Sequence, residues 1–343
     1  MQLKPFLAIA ALCWALGAMP AADASRSHAV IDDPAYEHAR QLVPVEGSRR
    51  LNMYCVGHGT PTVVFDSGLG DGTKAWGLVQ PVVARRTRAC AYDRAGLGFS
   101  DPAQRPGTSA NAVDDLHRLL DAAGIEPPYV LVGHSLGGMN VKLFAETYPA
   151  EVAGMVLVDP SHEDLGNRLW TLDPAYQAQY APYIASLQPC LTATAEQLLA
   201  GSPLAGTCVG SAGPRYSPAI NAAEAERGRQ PARREAWISE QENIWFASAD
   251  QLRAAYRDLG DIPLIVLTKA PVGPVGEETQ AMRDAKNRIW IDLHDAIARM
   301  SSRGTRWTIA DTGHYIQLDQ PGAVDEAILD VLRAASVADH PGH

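Results

Sequence analysis

The stretch Tyr129-Val130-Leu131-Val132-Gly133-His134-Ser135-Leu136-Gly137-Gly138 constrains this chain more than any other. Four residues with strand preference run into a Gly-x-Ser-x-Gly turn, and residues 139–148 then carry a helical pattern. Strand, sharp turn and helix in that order hold a serine hydroxyl at the tip of a nucleophile elbow. A serine is a weak nucleophile unless it is held exposed beside a base. Glycines two before and two after it, Gly133 and Gly137, let the backbone bend without Cβ clashes. The five-residue pattern alone is a weak signal in a chain with 29 glycines; the flanking strand and helix make it specific.

The rest of the chain supplies the sheet such an elbow needs. Thr62-Val63-Val64-Phe65-Asp66 is an unbroken apolar run of the kind buried on both faces of a parallel sheet, and it ends in the glycine loop Ser67-Gly68-Leu69-Gly70-Asp71-Gly72. That loop lacks a Lys-Ser/Thr pair and a G-x-G-x-x-G spacing, so backbone N–H groups aimed at an oxyanion suit it better than a nucleotide phosphate. Further strands are expected at 50–56, 88–92, 155–159, 263–268 and 306–310. An amphipathic helix is expected at 110–123, others at about 278–301 and 324–335. Strands alternating with helices specify a mostly parallel, doubly covered α/β sheet. The rhythm stops at 161–261, where helical patterns at 174–187, 193–199, 232–246 and 249–259 surround a Gly/Pro-rich patch at 201–218. This reads as a helical cap inserted into a core made of 50–160 and 262–338. Residues 25–49 read as a polar leader with one short helix near 35–42.

Residues 1–24 have the layout of a secretory signal peptide: Lys4, an apolar run from Phe6 to Met19, and Ala22-Asp23-Ala24 as a cleavage site. Cleavage near Ala24 implies an exported protein, periplasmic or extracellular, with no membrane span in the mature chain. Cys13 leaves with the signal, and four cysteines remain for an oxidising compartment. Cys55 and Cys90 fall in expected core strands and Cys190 and Cys208 in the insertion, so the expected pairs are Cys55–Cys90 and Cys190–Cys208. A formal charge of −10 and no basic cluster argue against nucleic acid as a partner. The sequence leaves the oligomeric state open.

With these residues in place the chain resembles the α/β-hydrolase superfamily, over nearly all of the mature sequence except the leader and the cap. The resemblance rests on Val63 to Gly68, on Tyr92-Asp93-Arg94-Ala95-Gly96-Leu97-Gly98, on Gly133 to Gly138 and on Thr312-Gly313-His314 after the last strand. It implies Ser135 as nucleophile, His314 as base, and the amides of Leu69 and Leu136 as the oxyanion donors. His162 is the fallback base; His134 is expected to point away from Ser135, and His117 and His294 to lie on helix surfaces. The acid departs from the usual pattern. Its common place follows the strand at 263–268, but Lys269-Ala270-Pro271-Val272-Gly273-Pro274-Val275-Gly276 holds no carboxylate. Asp159, at the end of the strand after the elbow unit, is the leading candidate; Glu277 and Glu278 are the alternatives, with Asp311 behind them. The expected activity is that of a secreted serine hydrolase acting on an ester, lactone or related acyl compound of low molecular mass, with no cofactor and no metal. A proline iminopeptidase-like enzyme is the second reading, with Glu240 and Glu242 as candidates to hold a substrate amine. A non-catalytic binding protein on the same fold is the third.

Overall fold

The computed structural model describes residues 29–338 other than Ser211 and Glu277. The segment read as a signal peptide and the candidate Glu277 therefore lie outside the described residues. Eight strands form one sheet: β1 (Gln41–Glu46), β2 (Arg49–Val56), β3 (Thr62–Asp66), β4 (Ala89–Tyr92), β5 (Tyr129–His134), β6 (Val152–Val158), β7 (Leu264–Lys269) and β8 (Gly304–Ile309). Their order across the sheet is β1-β2-β4-β3-β5-β6-β7-β8. β2 runs antiparallel to both β1 and β4, and every other neighbouring pair is parallel.

Every residue of β3, β5 and β7 is buried, because helices cover both faces. Alternation along β5 feeds two apolar clusters. Tyr129 and Leu131 join Leu116, Met139 and Phe144 on one face, where the helices Ser109–Ala122 and Leu136–Thr147 lie. Val130 and Val132 join Phe65, Trp76, Val156, Leu267 and Ile328 on the other, against the helix Pro321–Ala338. Each fully buried Val or Leu contributes about 1.5–3 kcal/mol relative to exposure, so the strand under the elbow is also among the most firmly held.

Between β6 and β7 the chain forms the helices Leu165–Leu172, Pro174–Thr192, Ala205–Cys208, Pro218–Gly228, Pro231–Asn243 and Ala247–Ala255. Pro174–Thr192, Ala205–Cys208 and Pro231–Asn243, with the 3-10 turn Glu196–Leu198, share a small core of Tyr183, Leu187, Cys190, Leu198, Cys208 and Ile238. The Cys190 and Cys208 sulfurs lie 2.00 Å apart within it, a disulfide distance. Cys55 and Cys90, directly opposed on β2 and β4, lie 2.09 Å apart.

Four features differ from the sequence reading. The segment taken as a leader contributes β1, and in place of a helix at 35–42 it holds one 3-10 turn at Pro34–Tyr36. The helices Leu165–Leu172 and Pro218–Gly228 were not expected. No helix among the described residues is long and apolar enough to cross a membrane.

Candidate active site

β5 delivers Ser135 to the centre of the sheet's carboxyl edge, between β3 and β6. Its φ of 53° puts a non-glycine residue in the left-handed region, a conformation that costs on the order of 1–3 kcal/mol and persists only where the surroundings impose it. Two backbone bonds impose it here: Ser135 N donates to Val158 O at 3.2 Å, and Ser161 N donates to Ser135 O at 2.9 Å. The turn leaves no room for side chains beside it. A Cβ on Gly133 would lie 2.4 Å from Gly137 O, and one on Gly137 would lie 2.3 Å from Asp66 O.

His314 and Asp159 meet in the same buried corner. His314 Nδ1 lies 2.7 Å from Asp159 Oδ2. A carboxylate can only accept this bond, so Nδ1 carries the proton and Nε2 is left with a free lone pair. Asp159 has no exposed surface and a φ of 41°. It accepts four bonds: Oδ1 from Lys269 N (3.1 Å) and Trp290 Nε1 (2.8 Å), and Oδ2 from Lys269 Nζ (2.9 Å) and His314 Nδ1. Burial alone would push this carboxyl up, but the Lys269 ammonium and the His314 bond outweigh it and hold Asp159 well below the usual carboxylate range. For His314, burial pulls the imidazole down and Asp159 opposes it, with a net shift below the ordinary value.

The glycine loop passes over Ser135: a Cβ on Gly68 would sit 3.4 Å from Ser135 Cβ and 2.8 Å from His134 Nδ1. Among the described residues neither Leu69 N nor Leu136 N donates to another backbone carbonyl. The first amide belongs to the loop and the second to the start of the helix Leu136–Thr147, where the helix dipole also favours negative charge. The loop is clamped from two sides. Arg94 donates to Ser67 O (2.6 Å), Gly68 O (2.8 Å) and Asp66 Oδ1 (2.6 Å), and its Nε meets Glu240 Oε1 at 2.6 Å. From the helix Pro231–Asn243, Glu240 Oε2 accepts from Gly70 N at 2.7 Å and Arg233 donates to Gly70 O at 2.8 Å.

The remaining candidates fall elsewhere. Glu278 is paired with Arg283 (2.5 Å) and Lys286 (3.0 Å), and makes no contact with His314. Asp311 is exposed at the end of β8. His162 is buried near Ser161, and its Nδ1 accepts from Asp164 N at 3.0 Å. Glu240 spends both oxygens on Arg94 and Gly70, and Glu242 is exposed, so the two do not form a free cluster for an amine. His134 does not point away from the site: its ring lies 4.7 Å from that of His314, and its Nε2 donates to His314 O at 2.9 Å. Burial and then repulsion from His314 pull it down to about 3, which keeps it neutral. His294 is fully buried rather than on a surface, bonded through Nε2 to Pro160 O and through Nδ1 to Thr268 Oγ1.

Sequence reasoning missed Lys269 and Trp290 as partners of Asp159. Lys269 had a signal, a charged residue closing an otherwise apolar strand; Trp290 had none beyond its place on an apolar helix face. Ser161, whose Oγ lies 3.5 Å from Ser135 Oγ, was also missed.

A family model described as "alpha/beta hydrolase fold" matches residues 61–321. An uncharacterised protein of Bacillus subtilis (strain 168), YqjL, is 25% identical over 291 residues, 85% of this chain and 91% of its own. Among solved structures, an esterase from Thermogutta terrifontis is 19% identical with a TM-score of 0.53, over 86% of this chain and 98% of its own. The epoxide hydrolase CorEH is 17% identical with a TM-score of 0.57, over 85% and 98%. At these identities the two structures speak for the fold alone.

Proposed function

The chain belongs to the α/β-hydrolase-fold family, and from that premise we propose that it is an exported serine hydrolase cleaving an ester, lactone or related acyl bond. The observation that carries this reading is a serine in a left-handed turn whose sheet edge also holds a buried Asp159–His314 couple at 2.7 Å.

Ser135 Oγ attacks the acyl carbon while its proton passes to His314 Nε2. Negative charge builds on the former carbonyl oxygen, which the amides of Leu69 and Leu136 receive; one such donor is worth about 3–4 kcal/mol of barrier. Collapse expels the alcohol, which takes the proton from His314, and leaves an acyl-serine. Water then attacks this ester with His314 again accepting a proton, and Ser135 leaves with that proton restored. Asp159 holds the imidazole in the tautomer this needs and stabilises its cation. The six helices between β6 and β7 act as a cap, tied to the oxyanion loop through Glu240 and Arg233.

Two other chemistries fit less well. An epoxide hydrolase attacks with a carboxylate, and the elbow residue here is a serine. An aminopeptidase needs a free carboxylate for the amine, and Glu240 is committed to Arg94 and Gly70. The test is a panel of p-nitrophenyl esters of increasing acyl length beside prolyl anilides, with Ser135→Ala as control. Ester turnover that Ser135→Ala loses by 10³-fold or more is the expected result. Anilide turnover without ester turnover, or esterase activity that survives Ser135→Ala, contradicts the proposal.

A further inference from the structure

The end of β7 brings a lysine to the acid. Lys269 is 3% exposed, with its Nζ 2.9 Å from Asp159 Oδ2 and 4.2 Å from the centroid of the Trp290 ring. Trp290 in turn donates its indole N–H to Asp159 Oδ1 at 2.8 Å. The ammonium is thereby pinned between a carboxylate and an indole face. Burying a charge is costly, and Leu264-Ile265-Val266-Leu267 earlier in the strand shows that sheet packing asks only for apolar residues. The geometry gives the lysine a more specific place: its ammonium and the His314 imidazole bond to the same carboxylate oxygen, at 2.9 and 2.7 Å.

We propose that Lys269 is a positioning residue that acts on His314 through Asp159, the positive charge of its ammonium cancelling part of the attraction that the carboxylate exerts on the imidazolium. This rests on the reading of Ser135 and His314 as nucleophile and base. A carboxylate beside a histidine favours its protonated form and can move it by about 1–3 pH units. A cation on the same oxygen opposes that pull and keeps the base unprotonated, hence working, at lower pH. The other titratable groups around this corner do not supply the same charge. His134, beneath the ring, and His294, from the helix Gln280–Ala298, are held neutral by burial, at about 3 and about 4. Arg283, on that same helix, is paired with Glu278. Tyr315 follows His314 in sequence, and Asp71 acts from the oxyanion loop on the His134 side.

His314 is active when unprotonated, so its midpoint sets the acid limb of kcat/KM, and removing the lysine charge moves that limb to higher pH. The test uses histidine ¹³Cε1 NMR titration of the full chain together with the pH profile of kcat/KM on a p-nitrophenyl ester, for Lys269→Met, Lys269→Gln and Lys269→Arg. The two neutral variants raise the His314 midpoint by about one pH unit, and the acid limb follows; Lys269→Arg leaves both in place. Lys269→Gln keeps a donor for Asp159 and is the variant to read should Lys269→Met fail to fold. A midpoint unchanged in Lys269→Gln overturns the proposal, because a hydrogen bond and not the charge would then be what Asp159 requires. If the wild-type protein turns over no ester, the NMR titration still decides the role of Lys269, and the hydrolase reading falls separately.

Discussion

Ser135 and Asp159 both adopt positive φ angles that non-glycine side chains avoid, 53° and 41°, each at the carboxyl end of a central parallel strand. Such strain is retained where neighbouring structure overdetermines it, and both residues lie buried at the carboxyl edge of the sheet. Asp159 is then saturated by four donor atoms from three residues, Lys269, Trp290 and His314, which fixes it as an ionised acceptor. Asp159→Asn keeps the shape but presents an amide to His314, favouring the wrong tautomer, and leaves the buried Lys269 ammonium without its carboxylate; kcat is expected to fall by roughly 10³ to 10⁴ and the unfolding midpoint to drop as well, measured by ester turnover and thermal melting. Normal turnover in that variant would remove Asp159 from the reaction. Ser135 and His314, the proposed nucleophile and base, stand out in the sequence because a motif and a strand-end position mark them. Lys269 does not, since its partner lies 110 residues earlier and only the adjacency of β6 and β7 brings them together.

At the scale of elements, the strands were legible where burial on both faces forces an unbroken apolar run, as in β3 and β5. β1 was not, because Gln41-Leu42-Val43-Pro44-Val45-Glu46 is an edge strand, half exposed and carrying the proline that a central strand would exclude. The helix Pro218–Gly228 was hidden by the Gly/Pro-rich patch before it and by a face that buries little beyond Ile220. The helix Pro231–Asn243 was legible as a helix, but its grip on the glycine loop was not, since Glu240 reads from sequence as a carboxylate free to hold a substrate amine. Breaking a buried ion pair leaves an uncompensated charge and costs about 3–5 kcal/mol. Glu240→Ala should therefore destabilise by about 3 kcal/mol, the lower end because Arg94 keeps Asp66. It should also lower kcat more than it raises KM, because Gly70 loses the acceptor that orients the loop. Denaturant unfolding and ester kinetics check the two halves.

Across the whole molecule, the proposed site lies at the carboxyl ends of β5 and β6, and the helices between β6 and β7 reach its glycine loop through Glu240 and Arg233. Ser135 and His314 are 7% and 4% exposed, so access depends on how those helices lie over the crevice. The architecture was legible because the order of strands and helices dictates a doubly covered sheet; what the insertion admits was not, because specificity resides in side-chain packing that no short pattern encodes. In the proposed mechanism one serine, at one turn, is made nucleophilic by the residues around it. Labelling the native chain with a fluorophosphonate, followed by intact-mass and peptide mass spectrometry, tests this most directly. A single adduct per chain on the peptide carrying Ser135, lost in Ser135→Ala and after unfolding, is the predicted result; an unmodified native protein, or an adduct that persists in Ser135→Ala, would contradict it.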